Sequence, residues 1–383
     1  MKPYCPQKIY LEKSAEDYAL TRNILARLPD VPVERIENAA VLAKSLAGRP
    51  DPIGEGKRYL VLRRDPGRAF KPFPQSEDYL SCDYFTLHVA EGCDLECSYC
   101  ILQAYLTNPF LTVYVNVEEM LARLQEILDA DPERMFRIGT GQLADSLSLD
   151  PVTGLSNILI PFFARQKNAV LELKTKSHFV DDLLELDHNG RTIISWSVNS
   201  PKIMREEEHK CAPLEERLAA ARRAADAGYR CGFHFDPIVD YPGWKKDYAE
   251  TAAAIAETLR PEEIAWISMG GLRFMPALKS IMQERFPKSG LPLGEWISGM
   301  DGKMRYPKSR RIEIYRKMTE ILRDSIGLGH STSMPALYLC MESPEVWRQV
   351  FGAEHDRASV CGLLDRAAYP LSHFEAQPRN PRF

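Results

Sequence analysis

The chain has 383 residues, of which 45% are hydrophobic and 27% are charged, a composition typical of a globular protein with room for a barrel-sized domain and appendages. Its formal net charge is −4, so binding of nucleic acid would need a local basic patch. The sequence shows neither a run of about 18 apolar residues nor a basic N-terminal region followed by an apolar core, so it predicts no membrane helix and no secretory signal.

The first 64 residues have a small α/β pattern. Extended segments at 8–11, 31–33 and 59–62 alternate with helical stretches, the first of them at 15–28. A connector with proline and glycine follows at 65–75, and its Phe70 and Phe73 offer rings that can pack on the next domain. We therefore predict an N-terminal α/β domain with its connector over residues 1–80.

Strand-like and helix-like segments alternate from residue 84 onward. The predicted strands are 84–89, 135–138, 170–174, 192–198, 231–235 and 264–269, and the predicted helices are 117–130, 180–186, 214–227 and 244–259. Such alternation predicts a parallel sheet with helical crossovers. Six βα units rather than eight indicate a partial (β/α)6 TIM-like barrel over residues 81–275, with a lateral gap for a large substrate. Residues 276–383 are predicted to be a helical C-terminal extension.

Three cysteines follow the strand at 84–89. Cys93, Cys97 and Cys100 are separated by three and then two residues. Since a 4Fe-4S cluster normally takes four cysteines, three predict a cluster with one iron left open for a substrate or cofactor. The alternatives are a three-cysteine zinc knuckle with a distant fourth ligand, or unrelated buried cysteines.

The cysteine count indicates a reducing compartment. Nine is an odd number, and thiolate-bound clusters are protected where disulfides are discouraged. We therefore expect a cytoplasmic protein in which the remaining six cysteines are free thiols: Cys5, Cys82, Cys211, Cys231, Cys340 and Cys361.

The cysteine loop resembles the signature of the radical S-adenosylmethionine superfamily. The resemblance implies that the open iron binds S-adenosylmethionine, which is split into methionine and a 5′-deoxyadenosyl radical, with a reductase, flavodoxin or ferredoxin as electron donor. It also implies that the turn Gly139, Thr140, Gly141 and Gln142, after the strand at 135–138, receives the cofactor's amino group. The alternative is a tight turn between strand and helix.

Residues 80–320 resemble the spore photoproduct lyase family more narrowly, in which that radical abstracts hydrogen from a thymine dimer in DNA. The matching segments are residues 97–103, 173–176, 188–190, 196–199, 227–229, 232–238 and 243–244. The match implies that Lys176 pairs with the cofactor carboxylate, that Ser197 hydrogen-bonds the cofactor, and that Tyr99 lies near the adenine. The alternatives are a solvated lysine, a barrel-interior hydroxyl and a packed aromatic ring.

Two aspartates follow predicted strands. Asp236 stands where the family resemblance implies an uncharged residue, and its carboxylate could bind ribose hydroxyls or a polar substrate. Asp145 lies similarly beyond the glycine turn. The alternative for both is helix capping.

Two departures from the family concern the return of hydrogen to the product. The resemblance implies a donor cysteine just after the second strand, but no cysteine lies between Cys100 and Cys211. It also implies a tyrosine immediately after the last cluster cysteine, where this chain has Ile101. Cys340 could act as hydrogen donor from the C-terminal region; the alternative is a small buried thiol.

A basic segment near residue 310 is the candidate nucleic-acid surface. Its cations flank Tyr306 and Tyr315, and cations that neutralise phosphates beside aromatic rings that stack on bases are typical of such surfaces. The cations are Lys303, Arg305, Lys308, Arg310 and Arg311. The alternative is a solvated helix face with Ile312, Ile314 and Met318 packed inward.

The sequence therefore predicts a lyase-like radical S-adenosylmethionine enzyme that abstracts hydrogen from a nucleic-acid base or nucleotide-like substrate, with DNA photoproduct repair as the family's example. One alternative uses the same radical on a peptide or small metabolite. The other is a non-catalytic iron–sulfur protein for electron transfer or sensing.

Overall fold

The computed structural model describes residues 1–46, 48–74, 76–81, 83–327 and 335–369. Its strands are β1 (Lys8–Glu12), β2 (Val33–Ile36), β3 (Tyr59–Arg63), β4 (Phe70–Pro72), β5 (Tyr84–Leu87), β6 (Ala90–Glu91), β7 (Glu96–Cys97), β8 (Leu111–Tyr114), β9 (Phe136–Gly139), β10 (Ala169–Thr175), β11 (Thr192–Ser197), β12 (Glu208–His209), β13 (Arg230–Ile238), β14 (Ile264–Gly271), β15 (Arg273–Phe274), β16 (Ile297–Ser298), β17 (Met304–Arg305) and β18 (Ala336–Leu339).

Its helices are α1 (Ala19–Arg27), α2 (Leu42–Ser45), α3 (Pro52–Gly56), α4 (Leu102–Tyr105), α5 (Val117–Ala130), α6 (Asp150–Thr153), α7 (Ser156–Ala164), α8 (Pro201–Glu207), α9 (Leu214–Asp226), α10 (Trp244–Thr258), α11 (Pro276–Arg285), α12 (Lys308–Ile326), α13 (Pro344–Phe351) and α14 (Arg357–Ala368). Among the described residues, none of these helices combines the length and apolar character needed to cross a membrane.

The central sheet confirms the predicted partial barrel. Its order is β18-β14-β13-β11-β10-β9-β5-β4. The pairs from β5 to β18 are parallel, and β4 is antiparallel to β5. The six predicted strands are β5, β9, β10, β11, β13 and β14, and β18 adds an edge strand from the C-terminal region that the sequence reading missed.

Side chains that cross the interior show that the sheet is curled. The Glu172 carboxylate on β10 accepts hydrogen bonds from Tyr84 on β5, from His234 on β13 and from Trp266 on β14. Trp266 passes over Gly232, where a Cβ would lie 2.6 Å from the indole nitrogen. Strands that are not neighbours in the sheet thus meet around one carboxylate.

A second sheet, in the order β2-β1-β3-β8-β6, packs beside the barrel. It takes β1, β2 and β3 from before residue 80, and β6 and β8 from after it. Ile9 and Leu62 belong to the same buried cluster as Leu171 of the barrel. The division of the chain at residue 80 therefore stays a prediction.

The connector between β4 and β5 crosses the place where the lateral gap was predicted. The Phe73 amide donates to the Tyr84 carbonyl at 2.8 Å, and the Leu80 amide donates to the Glu342 carbonyl at 2.8 Å. Because Phe73 follows β4 at one edge of the sheet and Glu342 follows β18 at the other, the connector joins opposite edges of the sheet. The gap is thus crossed by backbone; Gln75 and Cys82 lie outside the described residues.

Predicted helices agree with the structure in most places. The helix at 117–130 is α5, whereas α1 begins at Ala19, later than predicted, because Lys13–Ala15 form a 3-10 turn. The helix predicted at 180–186 is wrong, and only Asp181–Leu183 form a 3-10 turn there. Side chains from elsewhere bind carbonyls in and just before this segment: the Tyr229 hydroxyl donates to Leu183 at 2.7 Å, and the Trp196 indole donates to Ser177 at 3.1 Å.

Candidate active site at the barrel mouth

The cysteine loop lies at the carboxyl end of β5, where parallel α/β sheets place their functional groups. Asp94 within the loop is buried and accepts a hydrogen bond from the Ser148 hydroxyl at 2.5 Å. Burial raises the pKa of Asp94 to about 6, although the bond from Ser148 opposes this. The Lys57 ammonium donates to the Leu95 carbonyl at 2.5 Å. Contacts from both sides therefore fix the loop.

The three predicted ligand thiols differ in exposure, and their charges affect one another's pKa. Cys97 is buried, and Cys93 and Cys100 are partly exposed. Burial raises the pKa of Cys100, and the negative charge on Cys97 adds to this. Burial also raises the pKa of Cys93, with a smaller contribution from Cys100. Cys100 thus interacts electrostatically with both Cys93 and Cys97.

The geometry does not favour a zinc knuckle. Among the described residues, no group of three His, Cys, Asp or Glu side chains converges on a single metal ion. A cube carries its cysteine ligands on separate irons, so they lie farther apart than ligands of one ion. Three soft thiol donors in one loop fit an iron–sulfur cluster. The donor set thus suits the predicted group.

A short antiparallel pairing between the cysteine loop and a distant strand was not predicted from the sequence. β12 pairs antiparallel with β7, with Glu208 opposite Cys97. The Tyr99 hydroxyl donates to the Glu208 carboxylate, and the buried Arg217 donates to the same carboxylate at 2.6 Å. Burial alone would raise the pKa of Glu208, but Arg217, Lys176 and the bond from Tyr99 lower it. This buried ion pair holds β12 against the cysteine loop.

Lys176 lies just past the end of β10, beside the cysteine loop. Its ammonium is 5.8 Å from the centroid of the Tyr99 ring. Burial alone would lower the pKa of Lys176, but the neighbouring Cys97 and Glu208 outweigh it and raise that pKa. The side chain is therefore a half-buried ammonium beside the Tyr99 ring, and its surroundings favour the charged form.

The glycine turn is positioned by close packing. A Cβ on Gly139 would lie 1.8 Å from the Tyr84 hydroxyl, and one on Gly141 would lie 3.2 Å from Cβ of Lys174. The Thr140 hydroxyl donates to Ser146 at 2.8 Å, and Gln142 Oε1 lies 2.8 Å from His88 Nε2. These contacts explain why two glycines are needed here. Close packing of the turn thus accounts for both glycines by itself, and ligand binding by the turn stays a prediction.

Asp145 does not cap a helix, because α6 begins only at Asp150, but its carboxylate holds a turn. Its carboxylate accepts from the amides of Leu147 and Ser148 in its own turn, and from the Lys176 amide at 2.7 Å. The Thr175 hydroxyl donates to it at 2.6 Å. Asp145 thus ties the turn after β9 to the end of β10.

Ser197 and Asp236 lie at the carboxyl ends of β11 and β13. Ser197 is buried, and its carbonyl accepts from Arg217 at 2.7 Å. The Asp236 carboxylate accepts two bonds from the Arg273 guanidinium, at 3.0 and 2.9 Å. Burial alone would raise the pKa of Asp236, but Arg273 lowers it. Asp236 is therefore an ionised, paired carboxylate in the barrel interior.

Cys340 follows β18 and borders the same cavity as Asp236. The cavity has a volume of about 110 Å³, and its lining includes Lys174, Trp266 and Tyr338. A guanidinium nitrogen of Arg273 lies 3.2 Å from Cys340 Sγ. Burial raises the pKa of Cys340 to about 11, although Arg273 opposes this. The thiol thus keeps its proton at neutral pH.

The basic segment is paired with carboxylates. Arg305 is 1% exposed and donates to Asp301 at 2.7 Å. Arg311 is 7% exposed and donates to Glu342 at 2.9 Å. The predicted phosphate-binding role is therefore wrong for these two arginines, because burial removes them from a ligand's reach.

The remaining cations of the segment are also paired. Arg310 bonds Asp240 twice at 2.7 Å, Lys303 pairs with Asp301 at 3.3 Å, and Lys308 pairs with Glu345 at 2.6 Å. Ile314 and Met318 are buried on α12. The alternative of a packed helix with a solvated face is thus the better description.

Comparisons with known proteins all point to the same family. A family model described as spore photoproduct lyase matches residues 4–327. The chain is 28% identical to the spore photoproduct lyase of a Geobacillus species over 301 residues, covering 77% of this chain and 86% of that one. It is 27% identical to the Bacillus subtilis lyase over 300 residues, covering 76% and 86%.

Solved structures show the same fold. A spore photoproduct lyase complexed with a dinucleoside spore photoproduct has a TM-score of 0.75 and 25% identity, and covers 88% of this chain and 99% of that one. A variant lyase with bound AdoMet and the same dinucleoside has a TM-score of 0.76 at the same identity and coverage.

Proposed function

We propose a function from one premise: this chain belongs to the spore photoproduct lyase family and is a radical S-adenosylmethionine enzyme of the lyase type. Our proposal is that it abstracts hydrogen from a thymine photoproduct, or a related base lesion, in DNA. The observation that carries it is the position of the cysteine loop at the carboxyl end of β5, beside Lys176, in a chain that matches the family over most of its length.

The proposed cluster ligands are Cys93, Cys97 and Cys100. The groups proposed to bind S-adenosylmethionine are Tyr99, Gly139, Thr140, Gly141, Gln142, Lys176, Ser197 and Asp236. When bound, the cluster and S-adenosylmethionine supply one electron and a 5′-deoxyadenosyl radical that abstracts hydrogen. The AdoMet named in a related lyase structure supports this cofactor.

The chain's residues would bind and orient the cofactor. The raised pKa of Lys176 keeps a positive charge available for the cofactor carboxylate. Asp236 already accepts two bonds from Arg273, yet each carboxylate oxygen has a second lone pair for a ribose hydroxyl. The Tyr99 hydroxyl is held by Glu208, which leaves the ring face for contact with the adenine.

The substrate proposal is supported by the relatives and by the cavity. Two related structures are named as containing a dinucleoside spore photoproduct. In this chain the cavity beside Lys174 includes the rings of Trp266 and Tyr338, surfaces on which a base can stack. The basic segment supplies no exposed, unpaired cations for phosphates, so we propose base contacts in the barrel as the main source of recognition.

Cys340 is the proposed hydrogen donor to the product radical. The S–H bond would break homolytically, a C–H bond would form on the product carbon, and a thiyl radical would remain. One electron from a flavodoxin- or ferredoxin-type donor and one proton from solvent would restore the thiol. Its pKa of about 11 supports this role because hydrogen-atom transfer needs the protonated thiol.

The test uses the reconstituted holoenzyme, S-adenosylmethionine, dithionite and dinucleoside spore photoproduct in D₂O. We expect 5′-deoxyadenosine, consumption of the photoproduct, and deuterium in the thymine product, because thiol hydrogens exchange with solvent. Cys340→Ala should lose the deuterium transfer, whereas Cys231→Ala, which removes a buried thiol that contacts the Ala221 carbonyl, should retain it. Equal deuteration in Cys340→Ala would refute the donor role, and an unconsumed photoproduct would refute the substrate.

Family membership does not support the alternatives of a peptide or metabolite substrate or of a non-catalytic iron–sulfur protein. A cytoplasmic location, suited to a thiolate-bound cluster, completes the proposal.

A further inference from the structure

Cys211 is a fourth cysteine beside the candidate cluster loop. It follows β12, whose pairing with β7 places Glu208 opposite Cys97. On its other side, the Ala212 amide donates to the Lys176 carbonyl at 3.0 Å. Backbone bonds on both sides therefore fix the position of Cys211 relative to Cys97 and Lys176.

The two sulfur atoms are in direct contact. Sγ of Cys211 lies 3.6 Å from Sγ of Cys97. A thiolate that ligates iron has no proton to donate and can only accept, so the hydrogen in this contact must come from Cys211. The distance is too short for ligands on two different irons of a cube, so Cys211 is placed to contact a ligand rather than to serve as the fourth one.

We propose that the Cys211 thiol donates a hydrogen bond to the cluster-ligating sulfur of Cys97 and thereby raises the cluster's reduction potential. The proposal rests on the function proposed above. Reduction adds negative charge that is shared by the thiolate sulfurs, and hydrogen bonds to those sulfurs are one of the factors that set cluster potentials. Cys211 is a positioning residue, since it acts through Cys97.

The test is a redox titration of the reconstituted cluster followed by electron paramagnetic resonance. At a fixed potential, Cys211→Ala should lower the ratio of reduced to oxidised cluster by about fivefold, the effect of one ordinary hydrogen bond. Cys211→Ser keeps a hydroxyl donor and should recover most of the ratio. Cys5→Ala removes an exposed thiol and should match the wild type.

A second measurement identifies the proton itself. In D₂O, an exchangeable deuteron coupled to the cluster should be visible in pulsed resonance spectra of the wild type, and its coupling should weaken in Cys211→Ala. If Cys211→Ala leaves both the ratio of reduced to oxidised cluster and the coupling of the deuteron unchanged, the proposal is overturned. Loss of the cluster in that variant would overturn it too, because Cys211 would then be a ligand. If the wild type assembles no cluster, the proposed function itself fails.

Discussion

Replacement of Arg217 by methionine is expected to destabilise the protein and weaken cofactor binding together. Arg217 donates to the Glu208 carboxylate at 2.6 Å and to the carbonyls of Ala212 and Ser197 at 2.7 Å each. Both members of the ion pair are buried, with side-chain exposures of 0% and 1%. The variant would leave a buried carboxylate without its cation and two carbonyls without their donor.

The expected loss is about 4 kcal/mol of unfolding free energy, because breaking one side of a buried ion pair costs about 3–5 kcal/mol. Urea denaturation of the cluster-free protein, followed by circular dichroism, measures it. The double variant Arg217→Met with Glu208→Gln should recover about half of the lost unfolding free energy. The amide oxygen introduced at position 208 would still accept from Tyr99, and the uncompensated charge of Glu208 would be absent. Lys8→Met, which removes an exposed pair with Glu34, should leave the midpoint unchanged.

Cofactor affinity provides the second readout. Arg217 holds Ser197 directly, and it holds Lys176 through Ala212. The reconstituted Arg217→Met protein should therefore bind S-adenosylmethionine at least tenfold more weakly. A variant with wild-type stability and wild-type affinity would refute the reasoning that this buried pair supports the site.

The remaining predictions concern a carboxylate, an arginine and a lysine. Burial alone would raise the pKa of Glu172, but His234, Lys174 and Tyr84 lower it strongly. The ionised carboxylate therefore stabilises the fold above the unfolded pKa near 4.3, and this stabilisation is lost as pH falls. The difference in unfolding free energy between wild type and Glu172→Gln should narrow from pH 6 to pH 3, and a constant difference would count against this. Arg311→Ala should destabilise the protein and leave the salt dependence of DNA binding unchanged. If the slope of log affinity against log salt concentration fell by about one, Arg311 would contact a phosphate. Lys176→Met should weaken S-adenosylmethionine binding about tenfold or more in calorimetry, with cluster content unchanged; full affinity would exclude a carboxylate contact.

The barrel strands were predictable because their signals are local. Apolar runs such as residues 192–198 and the helix at 117–130 show their periodicity without reference to the rest of the chain. The spacing of Cys93, Cys97 and Cys100 is likewise local. β18 was not found this way, because it lies after α12, outside the alternation of strands and helices, and joins the barrel through its pairing with β14.

The polar interior of the barrel could have been predicted from a pattern in the sequence. Polar residues stand two apart on three consecutive strands: Glu172 and Lys174, Ser195 and Ser197, His234 and Asp236. That period of two places each pair on one face of its strand. Three such pairs on buried strands indicate a polar cavity inside the barrel, as the structure shows.

The long-range ion pairs could not be read from sequence. Arg305 and Arg311 stand in a run of cations that is typical of a phosphate-binding surface, but the structure buries both beside carboxylates. Glu342 lies 31 residues beyond Arg311, and Glu208 reaches the cysteine loop through the long-range pairing of β12 with β7. Such partners follow from the tertiary fold and not from local pattern.

The formation of 5′-deoxyadenosine tests the central claim most directly. The wild-type protein, reconstituted anaerobically and reduced with dithionite, should convert S-adenosylmethionine to methionine and 5′-deoxyadenosine. Cys97→Ala should form none while keeping the wild-type circular dichroism spectrum. A wild-type protein that contains a complete 4Fe-4S cluster, yet forms no 5′-deoxyadenosine with or without dinucleoside spore photoproduct, would contradict the account.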